Sequence, residues 1–392
     1  MGRILNCIPN IKVSYHFSDI IRACFITSRS NFYTNLVSKE LSSLFGGEDV
    51  ILTSSGRSAL YHILSILPQK KVYIPAYTCD VVIEAAVLSG KDIIYVHVDR
   101  ETLNIVDIPK VDSNSIIIAT HQYGFPCKIK EICETCKQKG AVVIEDCAGA
   151  LGTKIDGQLA GTFGDFAIFS FNASKLINAP SSGGFLIAKN NNDLKALRAR
   201  INYKPCSYKY KAKNLCKSIA LCCDKNSCFH YWLSRLTRHD ATKAHLSAES
   251  YQPDPKILEE YFYGFYNWQA YVVLKQLKLL SHLLSQRKKM AKIYQDKLSP
   301  HYLKENFYRK MSCIRYPIYL RNREETRLRL RNKGVEIGFG FEHFVCPDDY
   351  ADEILISQEI AYLPYSSNFS EKEINYIVSV LNADLNEQGF NT

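Results

Sequence analysis

The chain has 392 residues, 46% of them hydrophobic, and a formal net charge of +10. That is enough apolar material for a large core and a smaller second domain. No apolar run reaches the roughly 18 residues a spanning helix needs, and the opening stretch MGRILNCIPNIKVSYHF lacks the apolar core and cleavage site of an export signal. A cytoplasmic protein is expected; Met1-Gly2 followed by Asn6 does not make a myristoylation signal. The fourteen cysteines are scattered, which favours free buried thiols over a disulfide frame. Cys133 and Cys136 form a lone C-x-x-C, and with no second pair at a suitable spacing no metal site is read. The charge is uneven: Lys195 to Lys243 holds twelve Lys/Arg against Asp224 and Asp240. Such a segment either meets an anionic partner, namely a diphosphate substrate, a membrane surface or nucleic acid, or is a solvated face.

In chain order, the first half alternates short β-rich runs with helical patterns. Val50–Thr53 leads through Ser54-Ser55-Gly56-Arg57-Ser58 into a helix over Ala59–Leu67. Lys71–Ile74 is a strand, Asp80–Ser89 a helix closed by Gly90, and Ile93–Val98 a strand. Ser115–Thr120 is a strand ending at His121-Gln122-Tyr123-Gly124, and Ile129–Lys139 a helix stopped by Gly140. Ala141–Glu145, Ala167–Phe171 and Phe185–Ala188 are further strands. The apolar runs lack clean alternation, so both faces are expected to be buried, as in a mainly parallel sheet. The expected class is therefore α/β, with a large sheet domain over 1–202. The region 203–255, rich in Cys, Tyr and Lys, breaks the pattern and reads as a basic insertion. A plain helical excursion, with Phe229–Leu236 as an amphipathic helix, is preferred there to a membrane-lying or site-covering segment. Residues 256–392 hold a long continuous helix over Tyr261–Lys297, then a small α+β domain. The latter has a strand at Ile314–Tyr319, a helix over Arg323–Asn332 and a last helix Glu371–Leu385 capped by Ser370 with Glu373.

The chemistry concentrates in AVVIEDCAGALGTKIDGQLAGTFGDFAIFSFNASKLINAPSSGGFLI, residues 141–187. One strand ends in Asp146. Another ends in Ser170-Phe171-Asn172, with Lys175 just beyond and the pair Gly183-Gly184 after it. An aldehyde cofactor with a phosphate tail and a protonated ring nitrogen needs this set: a lysine to condense with the aldehyde, a carboxylate for the pyridinium nitrogen, and small residues that let backbone N–H groups reach the phosphate. The set points to pyridoxal 5'-phosphate (PLP). The bland readings are a surface lysine and a helix-capping aspartate; the functional ones are taken for Lys175 and Asp146. Gly56 and Arg57 open a helix whose N-terminus suits phosphate, and Ser170 is a further phosphate ligand. His121 either orients the cofactor or is structural. In this sheet class ligands collect at the carboxyl ends of strands, where Gly56, His121, Asp146 and Ser170 all fall.

Several segments in the right order resemble the DegT/DnrJ/EryC1/StrS family of PLP-dependent sugar aminotransferases. They are SGRSAL, PAYTCDVVIEAAVLSG, HQYGFPCKIKEI, EDCAGALGT, GDFAIFSFNASK, NWQAYVVLKQLKLLSHLLSQRKKMAKIY and LPYSSNFSEKEINYIVSVL. The resemblance implies a fold-type I PLP transferase with a seven-stranded-type sheet, and a homodimer. It implies Lys175 as the cofactor lysine and general base, Asp146 as the pyridinium partner, and Gly56, Arg57 and Ser170 as the phosphate site, with Asn172 beside them. L-glutamate would be the amino donor and a nucleotide-linked keto-sugar the acceptor, for polysaccharide or glycosylated-metabolite synthesis. The sequence departs from that pattern at Cys79, Gly149 and Asn172, where the family often has an aromatic, Gln and His, and no G-x-N-x-R element stands around Phe262–Gly264. The alternative function is a non-catalytic PLP-fold regulator or scaffold whose basic insertion contacts a membrane or nucleic acid; peripheral contact at the inner membrane face would run through 205–250. Nucleic acid is disfavoured for want of a framing motif.

Overall fold

The computed structural model describes residues 6–236, 245–299, 314–341 and 343–387. Two helices, α1 (Phe17–Phe25) and α2 (Phe32–Leu44), precede strand β1 (Val50–Thr53) and helix α3 (Gly56–Ile66). Then come β2 (Lys71–Pro75), α4 (Asp80–Leu88), β3 (Asp92–Val96), β4 (Ser115–Thr120), α5 (Ile129–Lys139) and β5 (Val142–Asp146). A two-residue-stranded hairpin, β6 (Lys154–Ile155) and β7 (Gln158–Leu159), leads to β8 (Phe166–Ser170) and β9 (Gly184–Ala188).

These strands form a seven-stranded sheet in the order β1-β9-β8-β5-β4-β2-β3. The pairings β8–β5, β5–β4, β4–β2 and β2–β3 are parallel, and β9 runs antiparallel to both its neighbours. The expected class, α/β with a mainly parallel sheet, is what the chain forms. All six residues of β4 are buried. Its Ile116 and Ile118 pack with Leu60, Ile63 and Val82 of α3 and α4, whereas Ile117 and Ala119 pack with Ile129 and Ile132 of α5. The period-2 pleat thus feeds two helical layers, which is why the strand shows no polar face. The same alternation runs through β8 and β9: Ile168 and Leu186 face α3, while Phe169 and Phe185 stack face to face at 4.3 Å in the other layer.

Helix α6 (Asn191–Arg200) closes this sheet domain, and α7 (Tyr208–Cys223) and α8 (Ser227–Leu236) follow. The stretch expected to be a helical excursion is helical. Leu215, Ile219 and Cys222 pack with Val13, Tyr15, Trp268 and Val272, and Lys211 Nζ donates to the carbonyls of Cys24 and Ile26 at 2.9 and 2.6 Å. Part of the basic stretch, 237–244, lies outside the described residues. No described helix is long and apolar enough to cross a membrane. The thirteen described cysteines are free, but Cys24, Cys216, Cys223 and Cys228 are exposed, so burial is not general.

Strand β10 (His245–Ser247) precedes three helices where one was expected: α9 (Leu258–Tyr261), α10 (Asn267–Leu277) and α11 (Leu280–Lys297). The first break arises because Lys204 N–H donates to Phe262 O at 2.7 Å and bridges Tyr263, pulling that backbone out of a helix. Gln269 Oε1 then accepts Tyr266 N–H at 3.0 Å and restarts the next helix. Apolar periodicity continues across the break, so a sequence reading joins the pieces. The C-terminal module holds β11 (Tyr316–Tyr319), α12 (Arg323–Asn332), β12 (Gly338–Phe339), β13 (Phe344–Cys346), α13 (Ala351–Glu359), β14 (Ile360–Leu363) and α14 (Glu371–Glu387). Strand β14 is central to an antiparallel β11-β14-β12 sheet. The Ser370–Glu373 capping box forms at α14, with N–H donations of 2.9 and 3.2 Å in the two directions.

Candidate active site

Between β2 and β4 the strand order reverses direction, and a cleft of about 610 Å³ opens at their carboxyl ends. All seven sequence candidates, Gly56, Arg57, His121, Asp146, Ser170, Asn172 and Lys175, line it.

One end is the N-terminus of α3. Ser55 caps it, its hydroxyl accepting Ser58 N–H at 3.1 Å. The N–H groups of Gly56 and Arg57 stand in the first turn, where no intrahelical acceptor exists. A Cβ on Gly56 would lie 3.2 Å from Ser170 Cβ, and one on Gly184 would lie 2.4 Å from Phe169 O and 2.7 Å from Gly56 N. The glycines let β8, β9 and the turn converge. The Arg57 guanidinium lies 3.3 Å from buried Glu84, which also accepts Tyr261 OH. Arg57 offers the cleft its backbone N–H, and its charge is spent on α4.

Asp146 ends β5, is buried, and accepts Ala148 N–H at 2.9 Å. Burial raises its carboxyl above the ordinary value, against the opposing pull of that N–H and of Lys175. Ionised Asp146 therefore calls for a cation beside it. Lys175 is half-buried. Burial and then the Arg315 charge lower its amine below the ordinary value, while Asp146 and Cys79 act to raise it. Thr120 Oγ1, also on the cleft wall, is buried with no hydrogen-bond partner. An orphaned hydroxyl, an uncommitted helix start, a buried carboxylate and a depressed amine fit PLP: Gly56, Arg57 and Ser170 would hold its phosphate, Asp146 its ring nitrogen and Lys175 its aldehyde carbon.

His121 has both ring nitrogens engaged. Nε2 meets Glu145 Oε2 at 3.0 Å and Nδ1 accepts Cys127 N–H at 3.2 Å. Neutral imidazole protonated on Nε2 satisfies both contacts. Glu145 in turn accepts the N–H groups of Gly161, Phe163 and Gly164 at 2.8, 2.6 and 2.6 Å. Burial raises Glu145, but His121 and these N–H groups outweigh it and hold the carboxyl below its ordinary value. The pair is a buried brace beneath the cleft.

Sequence reasoning missed what presents Lys175. Asn178 Nδ2 donates to the carbonyls of Asn172, Ala173 and Lys175 at 3.1, 3.0 and 2.8 Å, tying the loop into a knot. Helix α10 holds the loop from behind: Gln276 Oε1 accepts Asn178 N–H at 2.9 Å, and Gln269 Nε2 donates to Ser182 O at 2.8 Å. Both glutamines are buried. Two amides seven residues apart on an otherwise apolar helix face were the available signal. Also missed was the wall from the C-terminal module, with Arg315, Phe341 and Tyr362. The Arg315 guanidinium sits 4.2 Å over the Tyr362 ring. The hydroxyls of Tyr77, Tyr123 and Tyr362 form a chain at 2.7 and 2.6 Å. Burial raises all three phenols, so they stay neutral. Cys79 borders the same space; burial, then Asp80, pushes its thiol up to about 12.

Comparison with known proteins agrees with this geometry. The model of the DegT/DnrJ/EryC1/StrS aminotransferase family matches residues 17–222. GDP-perosamine synthase of Escherichia coli O157:H7 is 28% identical over 228 residues, 54% of this chain and 62% of that protein. The dTDP-4-dehydro-2,3,6-trideoxy-D-glucose 4-aminotransferase of Saccharopolyspora spinosa is 30% identical over 148 residues, 36% of this chain and 38% of that protein. The chain thus spans less than two thirds of either relative's length. Among solved structures, NtdA from Bacillus subtilis with bound cofactor PMP superposes with a TM-score of 0.69 at 18% identity, covering 98% of this chain and 86% of that one. By sequence and by fold, this chain belongs to the DegT/DnrJ/EryC1/StrS aminotransferase family.

Proposed function

We propose that the protein is a PLP-dependent aminotransferase. It takes an amino group from an amino acid, L-glutamate, and delivers it to a keto-sugar carried on a nucleoside diphosphate. The observation that carries this reading is one cleft lined by Lys175, Asp146 and the start of α3. The names of both relatives, a GDP-linked and a dTDP-linked sugar enzyme, support the substrate class.

Bound PLP supplies an electron sink for the bond to Cα. The chain's own residues do the rest. Asp146 balances a protonated ring nitrogen, which offsets the cost of ionising a buried carboxyl. The first turn of α3 and Ser170 fix the phosphate end, so the ring cannot slide along the cleft. Lys175, its amine made less basic by burial and Arg315, would take the proton from Cα and return it to the carbon that carried the PLP aldehyde. Asn178 and the two α10 glutamines keep that amine within reach of both atoms. We extend the reading to a homodimer, supported by the solvent-facing Phe17, Ile21 and Phe25 along one face of α1. Inner-face membrane contact through 205–250 is the weaker extension, supported by exposed Lys209, Lys213 and Lys217 beside exposed Tyr208.

The test is a half-reaction. PLP-loaded protein mixed with L-glutamate and no acceptor should release one 2-oxoglutarate per chain and stop. A nucleotide-linked 4-keto-sugar should then discharge the stored amine. Absence of 2-oxoglutarate from glutamate and from other common amino acids would defeat the proposal.

A further inference from the structure

At the edge of the cleft, away from Lys175 and Asp146, three metal-ligating side chains from distant parts of the sequence converge. Cys7 precedes the single residue pairing Ile8 with Val335, His230 lies on α8, and Glu336 follows Val335. Cys7 Sγ, a ring nitrogen of His230 and a carboxylate oxygen of Glu336 lie within 4.8 Å of one another. Cys7 is 1% and Glu336 6% exposed. The backbone adds to the convergence, because Cys7 N–H donates to Ser227 O at 2.9 Å and Glu336 N–H to Ile8 O at 2.9 Å.

Two independent features mark the cluster as unfinished. His230 Nε2 is buried with no hydrogen-bond partner, and the facing Glu336 Oε2, also buried, has only an ion pair with Arg331. Buried polar atoms are nearly always satisfied, so an orphaned imidazole nitrogen facing a thiol and a carboxylate needs a partner. The surroundings are also arranged as around a metal. Asp224 Oδ1 holds His230 Nδ1 at 2.9 Å, which fixes the tautomer and leaves Nε2 with its lone pair inward. Arg327 Nε donates to Glu336 Oε1 at 2.9 Å, orienting the carboxylate with Oε2 inward. Arg331 Nε lies 3.2 Å from Oε2 and is a quarter exposed. It is the one group an ion would push toward solvent.

We propose that Cys7, His230 and Glu336 form a binding site for a divalent ion of the zinc class, with the fourth position open to water. Thiolate, imidazole and carboxylate together suit zinc better than magnesium or calcium, which take oxygen ligands. Coordination forms the S–metal bond and sends the Cys7 thiol proton to solvent. The site is distinct from the reaction centre, and it staples α8 and the N-terminal segment to the C-terminal module. Glu336 also borders the cleft, which supplies an entry path.

The test uses the full chain, stripped of metal and titrated with Co²⁺, then with Zn²⁺. Wild type should take up one equivalent with a thiolate-to-cobalt charge-transfer band, and Zn²⁺ should erase that band. C7S should lose the band, and C136S should keep it. D224N should bind roughly 10–100-fold more weakly, as expected for a group that orients a ligand. H230Q, at a half-buried position on α8, reads the site even if C7S fails to fold. Saturating Zn²⁺ should raise the melting temperature of wild type and not of H230Q. No band in wild type, or a band that survives both C7S and H230Q, overturns the proposal.

Discussion

The cleft has two walls of different origin. The strand-end wall carries Gly56, Asp146, Ser170, Asn172 and Lys175, and the facing wall carries Arg315, Phe341 and Tyr362 from the C-terminal module. The first wall is built by local rules: a strand ends, a turn of small residues follows, and the next helix starts. The second is built by docking of a module nearly 150 residues further along the chain. Under the proposed function, cofactor chemistry would fall to the first wall and choice of the substrate to the second.

The sharpest way to break this division is at Lys175. K175A should lower turnover by at least ~10³-fold, the scale of losing a positioned acid–base group, with the fold intact by circular dichroism. Next is the brace beneath the wall. E145A strips His121 and three backbone N–H groups of their acceptor, and should cost about 3–5 kcal/mol in urea unfolding. The sign with pH follows from its depressed carboxyl. The stabilisation from Glu145 is complete above the unfolded carboxyl pKa and is lost as pH falls through the folded one. The acid limb of wild-type stability should therefore be steeper than that of E145Q. Q276L tests whether the loop is positioned from behind. Loss of its bonds to Asn178 should cut kcat by roughly 10–100-fold with KM little changed, since a small misplacement of the amine is enough.

Legibility followed the same division. The sheet, its buried strands and the seven candidates could be read because each signal lies within a few residues: the apolar run, the acid at its end, the glycine pair. The partner of the Arg57 charge was not legible, because Glu84 and Tyr261 come from α4 and α9. His121 could not be resolved between roles, since Glu145 lies 24 residues away. The break at Phe262–Tyr266 was invisible because its cause is a pairing with Lys204. Arg315 carried no local mark at all.

Arg315 sharpens the comparison from the other wall. R315A should leave cofactor binding intact and raise KM for the anionic substrate. Removal of its charge should also let the Lys175 amine rise toward its ordinary value. The acid limb of the kcat/KM profile should then move to higher pH. The smallest effect lies at His62, fully buried on α3 with its imidazole lowered to about 4 by burial. Its neutral form favours folding at pH above its unfolded value, and that contribution falls away between about pH 6.5 and 4, by up to ~3 kcal/mol. H62Q should flatten that part of the stability curve and leave catalysis at neutral pH unchanged.

The most direct measurement is the visible absorption spectrum of the purified protein incubated with PLP, set beside K175A and R315A. A visible band of lysine-bound cofactor in wild type and R315A, lost in K175A, is the predicted result and assigns the cofactor to the strand-end wall. No band in wild type, or a band that persists in K175A, would contradict the account.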